Sequence, residues 1–320
     1  EYQRIMNVAL IDMGSNSIRL AVYKVEQKDF EPIFSKRYMT GLASYVKEKQ
    51  LTAAGVEQAC IVLLDAKSLL EQLSVDQTTV FATASLRNIK NTEAVVAAIQ
   101  QKTGYTVQIL SGHEEAFLDY FGVMHGAPME EGALVDIGGG STELVWFDGK
   151  GPRDLLSIPM GTLALHTQFV SGLIPGEKER EKMRKAIKEQ LDAVDWPVEK
   201  GASVCGIGGT MRMSLQLCQE LLGLPKDGAR FTAEELDRVI KIACSDEAEL
   251  SKQAYKLVPE RMFSMVPGLL IVRGIAKRFD CTDFFVSRAG VREGYLITRF
   301  LEPQKVAPDG KLQKRAEGIL

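Results

Sequence analysis

The sequence predicts an α/β protein of two similar domains with a cleft between them, and three observations carry that prediction. First, an apolar run, a turn of Gly, Ser and Asn, and an alternating run occur twice, at residues 12–20 and 136–144, with an offset of 124 residues. Second, each copy is followed by segments whose apolar residues recur with the period of a strand or of a helix. Third, Gly126-Ala127-Pro128 separates the two stretches. One hairpin of this kind would be ordinary. Two, each opening one half of the chain, imply a duplicated domain, with residues 1–127 as the first copy and 128–320 as the second.

The elements follow in order. Residues 8–11 and 20–25 form the arms of the first hairpin, and 31–37 a third strand. Residues 53–73 carry Val56, Cys60, Leu63, Leu64, Leu69 and Leu70 at helical spacing. A strand at 79–83 precedes a helix that Asn91 caps and that runs to Lys102, with Gly104 as its stop. A strand at 107–110 and a helix at 113–124 complete the first half. In the second half, 133–135 and 144–147 flank the second turn, and 176–193 is a charged helix read as a solvated face. A buried strand at 203–207 leads into a helix at 210–222. Thr232 and Glu235 form a capping box for a helix at 232–243. Residues 284–286 are a strand, and 291–301 a closing helix that docks back on the first domain. The tail after Pro303 is expected to be loosely ordered.

Composition narrows the classes of function. The chain of 320 residues is 45% apolar and 25% charged, an ordinary folded profile with room for two domains. It contains no run of about 18–20 apolar residues of the kind a membrane span requires. Glu1-Tyr2-Gln3-Arg4 has no hydrophobic leader, and scattered thiols are read as buried groups of a reducing cytoplasm. Five scattered cysteines and three scattered histidines form neither a disulfide framework nor a zinc site. The net charge of −3 draws in neither nucleic acid polymers nor anionic lipid, so a polyanion would need a local cluster of Lys, Arg and backbone N–H groups.

The repeated turn supplies such a cluster. Small residues let backbone N–H groups converge on an oxyanion, which suits Ser15, Asn16 and Ser17 in one turn and Gly138, Gly139, Gly140 and Ser141 in the other. An Asp just before each turn, Asp12 and Asp136, offers hard oxygen to a divalent cation. Gly208-Gly209-Thr210, after a strand and before a helix, is compatible with a third phosphate contact. Gly and Asn also make plain hairpin turns, and it is the double occurrence that favours phosphate binding.

Two Asp-x-Gly hairpins and a late Gly-Gly-Thr turn resemble the motifs of actin-like (ribonuclease H-like) ATPases. More narrowly, Ala82-Thr83-Ala84-Ser85-Leu86-Arg87, Ser111-Gly112-His113-Glu114-Glu115-Ala116, Gly206 to Arg212 and Gly290-Val291-Arg292-Glu293-Gly294, together with both turns, resemble the exopolyphosphatase/guanosine pentaphosphate phosphohydrolase family in its short form. The likeness extends over residues 6–302. It implies a phosphoanhydride hydrolase dependent on Mg²⁺ or Mn²⁺, acting on inorganic polyphosphate or guanosine pentaphosphate, and it leaves room for a homodimer. It also implies Glu115 as general base, Glu143 beside the metal with Asp136, and a phosphate contact from Arg87; Arg19, projecting from the first hairpin, could make another, and Asp12 faces the metal from the first turn. Read as residues alone, Glu114 and Glu115 could simply be first-turn charges on a helix dipole, and Arg87 could pair with Glu93. Two departures bear on affinity. Met160-Gly161-Thr162-Leu163-Ala164 lacks an Arg that relatives carry at its fifth position, and Arg288 stands where they have a small or acidic residue. Two other readings are an actin-fold kinase and a non-catalytic sensor of polyphosphate or alarmone.

Overall fold

A computed structural model describes residues 5–26, 29–196, 204–244 and 256–303. In the first half, β1 (Met6–Met13), β2 (Ser17–Glu26) and β3 (Asp29–Met39) form an antiparallel meander, followed by a small ribbon of β4 (Val46–Lys47) and β5 (Gln50–Leu51). Then come α1 (Ala53–Gln72), β6 (Gln77–Ala82), α2 (Ala84–Arg87), α3 (Thr92–Thr103), β7 (Val107–Ile109) and α4 (Gly112–Gly126). The second half has β8 (Gly132–Ile137), β9 (Thr142–Asp148), β10 (Gly151–Ile158), α5 (Thr162–Phe169), α6 (Glu177–Asp192), β11 (Val204–Ile207), α7 (Gly208–Leu222) and β12 (Arg230–Thr232). It continues through α8 (Ala233–Cys244), α9 (Met265–Arg278), β13 (Asp283–Val286) and α10 (Val291–Leu296).

The sheets run β3-β2-β1-β6-β7 and β10-β9-β8-β11-β13-β12. In both, a three-stranded antiparallel meander is extended by two parallel strands, and the second sheet adds β12 antiparallel at its edge. The duplication read from two turns thus reaches the strand order of both halves.

Strand alternation sorts side chains to two faces. Ala9, Ile11, Ile18 and Leu20 face α1 and α3 on the outside of the first sheet. Ala133, Val135 and Leu144 face the helical layer of the second. The inner faces are covered by two helices, each belonging to the other half. Ala116 and Val123 of α4 pack on Leu134, Val145 and Phe147. Val291, Tyr295 and Leu296 of α10 pack with Val8, Leu10 and Phe81. The two helices meet at glycines. A Cβ added to Gly294 would lie 1.8 Å from the Leu118 carbonyl oxygen, and one on Gly122 2.2 Å from that of Gly290. No bulkier residue fits that crossing without displacing backbone.

Several elements differ from expectation. Residues 151–158, 162–169 and 265–278, without an element in the sequence reading, form β10, α5 and α9. The face of α6 carrying Met183, Ile187 and Leu191 is buried, so this helix is only partly a solvated one. Asn91 does not cap α3 with its side chain. It accepts from the Leu51 N–H and donates to the Leu51 carbonyl, tying the small ribbon to the helix start. The helix expected over 291–301 widens after Leu296 into π-helical turns at Ile297–Leu301. The tail after Pro303 and Ser203 lie outside the described residues. All five cysteines are free thiols, four of them buried.

Candidate active site

The two turns are built alike. The Gly14 N–H donates to the Ser17 carbonyl at 3.1 Å, and the Gly138 N–H to that of Ser141 at 2.9 Å. Each is braced from outside. Gly41 and Ala43 donate to the carbonyls of Asn16 and Ser15, while Thr162 and Leu163 at the start of α5 donate to those of Gly138 and Gly139. At Gly161 the approach is so close that a Cβ would lie 2.3 Å from the Gly139 carbonyl. The turns also touch each other, since a Cβ on Gly140 would stand 3.2 Å from Ser15 Oγ. Between them lies a cleft of about 140 Å³. Gly208, at φ +81°, opens α7 against Asp136, where a Cβ would sit 2.3 Å from Oδ1. Only glycine takes that backbone and leaves that space.

Asp12, Ser15, Asn16, Ser17 and Arg19 line the cleft from the first half; Asp136, residues 138–141, Gly208 and Gly209 line it from the second. Thr210 does not. Its side chain is buried and donates to the Ile137 carbonyl at 2.8 Å, holding α7 to β8. Of the helix start expected to meet phosphate, Gly208 and Gly209 line the cleft and the Thr210 side chain does not.

Glu115 also lines the cleft, on the first turn of α4. The helix begins with a capping box in which the Glu114 N–H donates to Ser111 Oγ and the Ser111 N–H to Glu114 Oε2. Glu115 is thereby turned inward. Its Oε2 accepts from Arg87 Nη1 at 2.7 Å. The other end of that guanidinium, Nη2, reaches Ser141 Oγ and Glu143 Oε1, each at 3.2 Å. Arg87 pairs with these groups rather than with Glu93. Glu143 Oε1 accepts in addition from Ser141 Oγ at 2.8 Å and Ser157 Oγ at 2.7 Å.

Burial decides the charge states. It pushes Glu115 well above the usual carboxylate range, with Glu143 adding to the rise and Arg87 opposing it. Glu143 is likewise raised by burial, against the Ser157 and Ser141 hydroxyls. Asp136 and Asp12 rise for the same reason, opposed by Arg212 and by Arg292 with Arg19 respectively. One turn beyond Glu115, Asp119 is 1% exposed, and neither carboxylate oxygen has a hydrogen-bond partner. Burial, with Asp136 and Glu115 adding to it, drives its pKa well up.

The expected three-carboxylate metal centre is not formed. Among the described residues no three His, Cys, Asp or Glu side chains are grouped to hold one ion. Glu143 is already held by two hydroxyls and Arg87, so it stands behind Ser141 rather than in the cleft. Asp12 and Asp136 do line it; burial raises both, and Asp12 adds to the rise of Asp136. Two carboxylates facing one phosphate cradle fit a hard cation, which is commonly held by one or two carboxylates plus substrate oxygens.

The cleft also contains cations that motif reading missed or left unassigned: Arg212, Arg261, Arg288 and Arg292 join Arg19. Burial and then Arg212 lower Arg19 to about 9. Burial and then Arg37 lower Arg261 to about 10. Both remain charged at neutral pH. Arg261 comes from a short turn at Pro259–Arg261 with no glycine signature, and only its tertiary position over Gly209 shows it.

Fold and site together define a two-domain, actin-like protein with an arginine-rich cleft between two glycine–hydroxyl turns. The family model of the Ppx/GppA phosphatase family matches residues 21–302, and the chain belongs to that family. It is 27% identical to the PPX-GPPA enzyme of Aquifex aeolicus, covering 92% of this chain and 100% of that one, with a TM-score of 0.76. An exopolyphosphatase from Cytophaga hutchinsonii has the same fold, with a TM-score of 0.81 at 18% identity over 91% of this chain and 97% of that one. No helix among the described residues is long and apolar enough to cross a membrane.

Proposed function

We propose that this chain removes terminal phosphate from inorganic polyphosphate, with Glu115 as general base. The observation that carries the reading is a buried carboxylate, Glu115, lining the same cleft as both glycine–hydroxyl turns. A base of raised pKa near the operating pH is matched to abstracting a proton from water. Backbone N–H groups of the two turns and the cleft arginines would hold the phosphates, and Arg87 would orient Glu115. Water attacks the terminal phosphorus, its proton passes to Glu115, and the anhydride P–O bond breaks. Orthophosphate leaves, with a chain one unit shorter. Asp12 and Asp136 would hold Mg²⁺ or Mn²⁺, which would neutralise phosphate charge there.

Guanosine pentaphosphate ends in the same anhydride and is the second substrate to test. A kinase would instead need a bound acceptor, and a sensor has no use for a water-activating carboxylate. The experiment is phosphate release from long-chain polyphosphate, tripolyphosphate and guanosine pentaphosphate, side by side, with Mg²⁺, with Mn²⁺ and in excess chelator. Release from the inorganic chains that chelator abolishes is the expected result. Full activity in verified metal-free buffer removes the metal from the proposal, and no release from inorganic chains removes the substrate.

A further inference from the structure

Strand register aligns the inner face of the first sheet into a row. Asp12 on β1 is directly opposite Arg19 on β2, and Arg19 is directly opposite Arg37 on β3. Adjacent strands lie about 4.8 Å apart, so the row steps from the Asp at the cleft through two guanidinium side chains to the sheet edge. Among the described residues β3 is that edge, with no strand beyond it. Arg37 is exposed, and among the described residues it makes no ion pair. Its charge nevertheless acts on Arg19, Arg212 and Arg261, three arginines that line the cleft. Asp12, Asp136 and Glu260 offset the charge of Arg19, Arg212 and Arg261, whereas no carboxylate among the described residues pairs with Arg37, which leaves its charge for an anion.

We propose that Arg37 is a specificity-determining residue for chain length, taking phosphates of a linear inorganic chain that extend past the cleft and over the edge of β3. The inference rests on the proposed polyphosphate reading and adds to it a direction of exit. The cleft, about 140 Å³, is small beside a long chain. A longer chain must leave it, and the Asp12–Arg19–Arg37 row is a cationic way out that ends in solvent. On this proposal a tripolyphosphate bound by its end in the turns has no unit left to reach Arg37.

The test compares Arg37→Gln with the unsubstituted protein. Binding is measured by calorimetry in a Glu115→Gln background and turnover in the native one, on long-chain polyphosphate, tripolyphosphate and guanosine pentaphosphate. One charge-assisted phosphate contact at an exposed site predicts about three- to tenfold weaker binding of the long chain and a similar rise in its KM. Tripolyphosphate should stay within about twofold on the same scale, and kcat should be unchanged. Equal weakening of both inorganic chains, weakening of neither, or an effect confined to guanosine pentaphosphate overturns the proposal. If the native protein releases no phosphate from either inorganic chain, the functional reading fails, while the binding comparison still decides the part played by Arg37. Arg37 is exposed, and an unchanged melting temperature verifies that the variant is folded.

Discussion

Glu114 and Glu115 are neighbours in sequence and about 100° apart around a helix, and their surroundings differ accordingly. Glu114 closes the capping box with Ser111, while Glu115 is buried against Arg87. Glu115→Gln is expected to lower kcat by about two orders of magnitude or more with polyphosphate affinity largely kept. Glu114→Gln should cost at most about 1 kcal/mol of stability and leave kcat near native. Turnover near the native rate in the Glu115 variant would refute its role. A base works only when ionised, and burial holds Glu115 above the usual range. The acid limb of kcat/KM should therefore fall at a higher pH than an ordinary Glu would give, and vanish in Glu115→Gln. Asp119 allows a stability test of opposite interest. Its folded pKa is raised, so the folded state keeps a proton that the unfolded chain loses. Stability is then lost as pH rises from the ordinary Asp range through the folded value. Asp119→Leu removes that loss. Its melting-temperature advantage should be larger at pH 8 than at pH 5, at about 2–4 °C per kcal/mol. An equal difference at both pH values would mean that Asp119 titrates as an exposed group.

Among elements, the crossing of α4 and α10 has the tightest tolerance. The Gly294 Cα faces the Leu118 carbonyl with no room for a methyl group, and α4 carries Glu115. Gly294→Ala is expected to destabilise by about 2–3 kcal/mol through overpacking and to lower kcat beyond what the unfolded fraction explains. Denaturant titration beside single-turnover rates checks both, and a variant with native stability would show that the helices can slide apart. This crossing also marks where sequence reading ran out. The turns at Asp12 and Asp136 were legible because glycine, hydroxyl and Asp must be adjacent to make them. The capping box of Thr232 and Glu235 was legible for the same reason, and both of its hydrogen bonds form. Arg261 and Asp119 take their meaning from residues far along the chain, and no local pattern marks them. The resemblance put Glu143 beside a metal. Its three partners, Ser141, Ser157 and Arg87, come from β9's approach, β10 and α2, and Ser157 sits on a strand the periodicity did not reveal. A strand-to-helix turn looks the same whether its hydroxyl faces ligand or backbone, and only the fold shows that the Thr210 hydroxyl faces the Ile137 carbonyl.

For the whole molecule, substrate held between turns from opposite halves should favour a closed arrangement. A ligand shifts such an equilibrium only through its differential affinity for the two states. Polyphosphate reaching both turns should therefore compact the protein, and orthophosphate should do so less. Distance measurement between labels at Glu31 and Lys226, in a Glu115→Gln background, reads the change directly. Saturating polyphosphate that leaves the distance unaltered would mean that the turns bind independently.

The exchange of helices between the halves has a further consequence during synthesis. Val8, Leu10 and Phe81 on the first sheet wait for Val291, Tyr295 and Leu296, which are among the last of the described residues to be made. Leu110, Phe117 and Leu118 of the first half share that cluster, but a chain elongates at about 5–20 residues per second, so the part of the face that α10 covers stays open for many seconds. Such a nascent face is apolar and open to other chains, and the ribosome-bound half is the stage at which this protein most needs a chaperone.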